Sequence, residues 1–461
     1  MRCHITVIIT LFSALFFPFA CLANSNNVTP TLGASTALLV VDPLTSERLL
    51  DQHSDILLPP ASTQKLLTAL AAKQILGEAF RFRTAIHHEG QHALLAFSGD
   101  PTLQRTHIAS LLRRGYQHNK QLFNGDIHLY RGDFAGPDRA PGITWDVLGV
   151  CYAAPAAAIS LEDNCVQGAL YANTGIGQRA RLHVPAHHLI TVDNNVTVVS
   201  KQQQEAAQCE LLLEANSDNH YQLQGCVVER DTPLPLNFAL QSPERYMQDV
   251  IYTELARLNI PFQGKVIISD HPPRSVALYQ HLSAPLMTLL ELVLQDSNNV
   301  LTDSLLRSMA STDGTMSQGA FVLRSHFADL FNDPGWLNVP LVDGSGLSRN
   351  NRLTAKQLMQ VLSYVYQHEP ALFALLPISG ESGTLRYRQS VRHTPLKGAL
   401  QAKTGSLYGA HNLAGELTTQ SGRKLLVVQL VNGYFWQHQP GIESPLIRFE
   451  RQFYQQLFEQ Y

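Results

Sequence analysis

The feature that most constrains this chain is a change of pattern along it. Near the start, Leu66-Leu67-Thr68-Ala69-Leu70-Ala71-Ala72 is an apolar run of helical character, and helical patterning returns from Ser242-Pro243-Glu244 onward, over 285–294 and 300–309. From about residue 84 to 240 the apolar runs shorten and are broken by Gly, Asp, Pro and His, as in Ala93–Phe97 before Gly99-Asp100-Pro101. Short apolar runs between turn residues read as strands. The pattern predicts an α/β (α+β) chain in which a β-rich region, 84–240, with a nested sub-domain at about 180–232, stands between the stretches 24–83 and 241–461. A chain of 461 residues has room for two or three domains.

Further elements follow from local signals. Residues 36–42 read as a strand, and Arg48 to Gln52 as its returning partner. Asn412–Thr419 and Lys424–Val431 are predicted to pair across Gln420-Ser421-Gly422. Ser242 is placed to cap a helix that begins at Pro243. The last helix carries Leu446, Phe449, Phe453 and Leu457 on one face. Its polar face has no basic bias, so this stripe is expected to pack on the sheet and not on a membrane.

The N-terminus has Arg2, an apolar run from Ile5 to Ala20 and then small residues. This is the layout of a secretory signal, 1–23, cleaved after Ala23. A lipoprotein with Cys21 as its first residue ranks second and an uncleaved anchor third. Export to the periplasm is expected, with at most loose membrane association. Beyond the signal four cysteines remain: Cys151, Cys165, Cys209 and Cys226. In an exported chain they suggest two disulfides. Three pairings are possible, and Cys151–Cys165 with Cys209–Cys226 closes the shortest loops. A net charge of −3 without a long run of one sign speaks against nucleic acid as a partner.

Pro59-Pro60 precedes Ala61-Ser62-Thr63-Gln64-Lys65 at the start of the first helical run. Spacing i, i+3 puts the Ser62 hydroxyl and the Lys65 amine on one face, a nucleophile beside a base. The helix N-terminus adds positive potential where an oxyanion would form. A metal hydrolase reading fails on spacing. No His-Glu-x-x-His occurs, and Pro185 interrupts His183 and His187. His87, His88 and His92 are expected to be exposed, and no metal or other cofactor is expected.

Two further motifs stand in order after the first: Ser297-x-Asn299 and Lys403-Thr404-Gly405. Together the three match the set of the penicillin-recognising serine enzymes. With Asp343-Gly344-Ser345-Gly346-Leu347-Ser348, Gly383-Thr384-Leu385 and the long gap between the first two motifs, the sequence resembles the penicillin-binding protein 4 type of D-alanyl-D-alanine carboxypeptidase/endopeptidase (low-molecular-mass class C). That resemblance implies a β-lactamase/transpeptidase-like domain, an antiparallel sheet flanked by helices, with extra domains inserted in the gap. It implies D,D-carboxypeptidase and endopeptidase action on peptidoglycan stem peptides through a Ser62 acyl-enzyme, and acylation by β-lactam antibiotics.

In that reading Lys65 is the base, its pKa lowered by burial and by Lys403. Ser297 relays a proton to the leaving amine. Asn299 bonds the substrate amide. Lys403 and Thr404 hold the terminal carboxylate, and Gly405 leaves room for substrate along its strand. The N–H groups of Ser62 and Ser406 form the oxyanion hole. Arg388 is a second candidate for a substrate carboxylate. Glu162 or Asp163 would meet the amino end of the stem's diamino acid. The middle residue of the second motif, Asn298, stands where Asp is common, and no role is attached to it. A class A β-lactamase would need a Glu in E-x-x-L-N after the second motif, and none occurs between Asn299 and Lys403. A penicillin sensor with little turnover uses the same residues and stays open as the alternative, with a serine β-lactamase beside it.

Overall fold

A computed structural model describes residues 33–132, 134–310, 313–437 and 441–461. The expected signal segment lies outside the described residues. Among them no helix is long and apolar enough to cross a membrane.

The sheet that carries the third motif has five antiparallel strands in the order Leu400–Leu407, Ala410–Thr418, Lys424–Asn432, Ser35–Val41, Arg48–Gln52. The expected hairpin forms with Thr418 opposite Lys424, and Val40 lies opposite Val427. Its central strands are largely apolar because both faces are covered, with Asn412, Glu416 and Gln429 as buried polar exceptions. Alternate side chains go to opposite faces. Ala37, Leu39, Leu426, Val428 and Leu430 join a core with the Lys65–Leu76 and Ala355–His368 helices. Leu38, Val40, Leu425, Val427 and Val431 join a second core under the Pro445–Gln460 helix, against Leu446, Phe449, Phe453 and Leu457. The stripe on that last helix therefore packs on the sheet.

A second five-stranded sheet runs Val266–Ser269, Ile127–Tyr130, His92–Ala96, Arg83–Glu89, Ala277–Leu282. Val266–Ser269 is parallel to Ile127–Tyr130, and Ala277–Leu282 is antiparallel to Arg83–Glu89. Chain on both sides of residue 240 thus builds one sheet, and the expected boundary at 240 cuts through it. The Pro243–Arg257 helix packs here as well, in a core with Ile86, Leu95, Ile127 and Leu129. The expected Ser242 cap makes no side-chain bond to that helix.

The region read as β-rich also contains a four-turn helix, Arg105–His118. Its buried residues Ile108, Leu111, Leu112 and Gly115 have helical spacing, but the polar residues between them hide the run. Two small sheets complete the insertion. One joins Leu234–Ala239, Cys165–Tyr171 and Arg181–His183, and the other is centred on His220–Val228. Leu170 and Ala172 share a small core with Val196, Val198 and Leu223, so the sub-domain expected at 180–232 draws part of its core from outside that range. Both disulfides form as expected, Cys151–Cys165 and Cys209–Cys226. His87 is buried and its Nδ1 lies 2.9 Å from the Ser275 carbonyl, against the expectation of exposure.

One buried cation ties the insertion to the helix that carries the second motif. Arg307, wholly buried, donates to Asp138 at 2.7 Å and to the carbonyls of Gly314, Ala156 and Ala135 at 2.7, 2.7 and 2.9 Å. Removing it leaves three carbonyls and a carboxylate without their donor. Arg307→Leu is expected to destabilise the protein by about 3 kcal/mol, read as a fall in urea midpoint. An unchanged midpoint would show that the contact carries no stability.

Candidate active site

The Ser62 turn is built from the proline pair. Ala61–Gln64 forms a 3-10 turn, and the α-helix proper starts at Lys65 and runs to Leu76. Ser62 therefore stands one turn ahead of the helix, part-exposed, while Lys65 is wholly buried. Lys65 Nζ lies 2.8 Å from Ser62 Oγ, 2.5 Å from Asn299 Oδ1 and 2.8 Å from the Ser345 carbonyl. These three acceptors match the three protons of an ammonium.

The third motif sits on the edge strand Leu400–Leu407. Lys403 is also wholly buried, and its Nζ donates to Ser297 Oγ at 3.0 Å and to the Thr404 carbonyl at 3.1 Å. Two lysine–serine couples thus stand in one site, bridged by the short link from Ser297 to Asn299. Ser297 holds φ +60, a conformation a non-glycine residue keeps only when its surroundings impose it. Gly405 has a clear reason: a Cβ there would lie 2.8 Å from the Pro60 carbonyl and 3.1 Å from the Ser62 nitrogen. Any side chain would push the strand off the serine turn. Thr404 Oγ1 bonds Thr384 Oγ1 at 2.7 Å, which fixes its hydroxyl.

Burial brings Lys65 down to about 8, opposed by Asp303 and Asp343. The second-cation effect runs chiefly the other way. Lys403 is held well below the ordinary lysine range, first by burial and then by the charge of Lys65. Burial raises both acids, Asp303 to about 7 with Asp343 adding to it. The sequence reading named Asp343 within its motif without a role and missed Asp303. Asp303 Oδ1 accepts the N–H groups of Gly344 and Ser345 at 2.9 and 2.8 Å, which orients the Ser345 carbonyl at Lys65. Asp343 accepts from Gly346 and Ser348 at 2.9 and 2.7 Å and from Asn351 at 2.7 Å. Gly346 has φ +77, and a Cβ there would lie 2.0 Å from the Ala61 carbonyl. The Asp343–Ser348 run is thus a cradle under the serine turn. The available signal was Asp303, one helical turn beyond Asn299.

Asn298 does carry contacts. Its side chain accepts from Leu301 N at 2.9 Å, capping the Asn299–Met309 helix, and its amide donates to Asp163 Oδ1 at 2.9 Å. Asn299 Nδ2 donates to the Tyr152 carbonyl at 2.7 Å. These bonds fasten the second motif to the Cys151–Cys165 loop of the insertion. Asp163 faces a cleft of about 680 Å³ with Thr102, Tyr152, Asp296 and Asn299. Glu162 is exposed and accepts from Arg105 N at 3.3 Å.

Arg388 is not where the sequence reading put it. Its guanidinium forms a bidentate pair with Glu450 on the last helix, and Ser390 Oγ donates to the same carboxylate at 2.6 Å. The charge is spent inside the protein and is not free to hold a substrate carboxylate. Among the described residues, His92, Asp126 and His128 form the one group spaced to hold a metal. His92 Nδ1 already accepts the Asp126 N–H at 2.9 Å, which leaves its other ring nitrogen protonated in the neutral form. His92 and His128 lie on strands of the second sheet and Asp126 just before one of them, apart from Ser62.

The antiparallel sheet between helical layers and the paired serine–lysine couples define an active-site-serine peptidase. The chain belongs to the D-Ala-D-Ala carboxypeptidase 3 (S13) family, whose model matches residues 22–453. It is 34% identical over 430 residues to the D-alanyl-D-alanine carboxypeptidase DacB of Haemophilus influenzae, covering 89% of this chain and 88% of that one. It is 26% identical over 429 residues to the D-alanyl-D-alanine carboxypeptidase of Actinomadura sp. strain R39, covering 87% and 78%. The crystal structure of penicillin binding protein 4 (dacB) from H. influenzae superposes with a TM-score of 0.85 at 33% identity, over 93% of this chain and 97% of that one. A structure of the same H. influenzae protein complexed with a β-lactam matches with a TM-score of 0.79.

Proposed function

We propose that the protein is a serine D,D-carboxypeptidase and D,D-endopeptidase of peptidoglycan, acylated on Ser62 by stem peptides and by β-lactams. The observation that carries this is Lys65 Nζ at 2.8 Å from Ser62 Oγ in a wholly buried position. Neutral Lys65 takes the Ser62 proton as Oγ attacks the D-Ala carbonyl. The N–H groups of Ser62 and Ser406 receive the oxyanion. Ser297, bonded to Lys403, gives its proton to the leaving amine as the C–N bond breaks to form the acyl-enzyme, and the proton that Lys65 took from Ser62 replaces it. Neutral Lys65 then takes a proton from the water that attacks the ester and returns it to Ser62 Oγ as the C–O bond breaks. Asn299 orients the acyl-side amide, while Lys403 and Thr404 take the carboxylate of the leaving residue. A carboxylate arriving at Lys403 favours its charged form. Asp163, and not Glu162, is the acid that meets the amino end of the diamino acid, because it alone is held against the second motif.

The disulfides and the signal-like N-terminus support export to the periplasm. The catalytic unit is the first sheet with its helices, and the insertion runs from the Arg83–Glu89 strand to the Ala277–Leu282 strand.

The pH profile tests the base. A lysine pulled down to about 8 is charged below that pH and has no lone pair for the serine proton. The kcat/KM for D-Ala release from a stem pentapeptide should therefore rise about tenfold per unit below pH 8 and level off above it. A flat profile from pH 6 to 9 would contradict Lys65 as the base.

A further inference from the structure

The groove beside the edge strand has no place in the chemistry above. It holds about 940 Å³ and is lined by Tyr408, His411, Phe435, Trp436, Gln437 and the Arg388–Glu450 pair. Ser406 lies directly opposite His411 in the antiparallel ladder, and directly opposed residues share a sheet face. Thr404, two residues before Ser406, shares that face as well, since its own partner Leu413 packs in the core beneath the last helix. The groove therefore opens on the face shared by Thr404 and Ser406, whereas Lys403 and Gly405 alternate to the face of the serine turn. The acidic cleft at Asp163 and Asn299 lies on the acyl side.

Its lining is unusual for a surface. Tyr408 is 78% and Phe435 60% exposed, with ring centroids 4.9 Å apart. Phe435 reaches over Gly409, where a Cβ would come within 2.7 Å of its ring. The buried indole N–H of Trp436 has no hydrogen-bond partner among the described residues. The exposed aromatic faces suit a chain with an aliphatic stem.

We infer that this groove receives the leaving stem peptide when the enzyme cuts a D-Ala–diamino acid cross-link. The inference rests on the D,D-peptidase reading and deepens it. Release of a single D-Ala needs only the carboxylate holders. Release of a whole stem peptide needs a surface beyond them, and the groove supplies one that rejects neither charge nor methylene. Tyr408 and Phe435 are the residues that set the ratio of endopeptidase to carboxypeptidase action.

The test compares the full-length mature enzyme with Tyr408→Ala/Phe435→Ala on two sugar-free substrates, a stem pentapeptide and a cross-linked peptide dimer, by chromatography of the products. In the variant kcat/KM for the dimer should fall about tenfold while that for the pentapeptide stays within about twofold. Tyr408→Phe/Phe435→Tyr, which keeps both rings, should restore dimer cleavage. Equal loss on both substrates, or no loss on either, overturns the assignment. A wild-type enzyme that cuts the pentapeptide and leaves the dimer intact also overturns it, with the carboxypeptidase reading left standing. A wild-type enzyme that cuts neither defeats the parent reading itself.

Discussion

Ser62→Ala should abolish penicillin labelling and lower D-Ala release by about 10⁴-fold or more while the protein stays folded. Units of catalytic machinery fail together when the nucleophile is removed, so the residual rate reflects binding and the oxyanion donors alone. The side chain has one close polar partner, Lys65 at 2.8 Å, and it is not part of the packed core. Losing one hydroxyl there should leave the unfolding midpoint within about 1 kcal/mol of wild type. Labelling by fluorescent penicillin and assay of free D-alanine check the two halves. Activity retained by this variant would remove Ser62 from the mechanism.

Lys65→Ala should slow acylation by about 10³-fold, in the range that general-base catalysis contributes. The variant separates two roles of this lysine. As a structural cation it satisfies Asn299 Oδ1 and the Ser345 carbonyl and sits among the buried carboxylates Asp303 and Asp343. As a base it needs to give up a proton, and the hydrogen bond to Ser62 then reverses, with the hydroxyl donating to Nζ. Lys65→Arg keeps the cation and removes the base, because arginine does not deprotonate in proteins. Both variants should lose acylation, whereas only Lys65→Ala should also lose stability. Stopped-flow acylation by penicillin measures the first effect and urea unfolding the second. An arginine variant that acylates near the wild-type rate would rule out Lys65 as the base.

The sequence showed the site better than it showed the architecture around it. Ser62, Lys65, Ser297, Asn299 and Lys403 lie on short motifs whose spacing fixes which side chains meet once the elements form, and the structure brings them together. Asp303 escaped, and Asp343 stood in its motif without a role, because both work through backbone N–H groups. Arg388 misled because an arginine near the third motif reads equally as a ligand holder or as an ion pair. Its partner Glu450 is 62 positions away on the last helix. The boundary at 240 failed for a related reason. Val266–Ser269 and Ala277–Leu282 complete a sheet begun near residue 83, and pairing across that distance leaves no trace in local composition. The Arg105–His118 helix was lost among polar residues although its buried positions keep a helical period.

The central claim is a covalent acyl-enzyme on Ser62, formed from the natural class of substrate. It is tested most directly by mixing the enzyme with a stem pentapeptide ending in D-Ala-D-Ala, quenching in acid and mapping the peptides by mass spectrometry. The expected result is an adduct equal to the pentapeptide less one D-alanine, confined to the peptide that contains Ser62, with free D-alanine in the supernatant. Release of D-alanine with no adduct on Ser62, or an adduct on another residue, would contradict it.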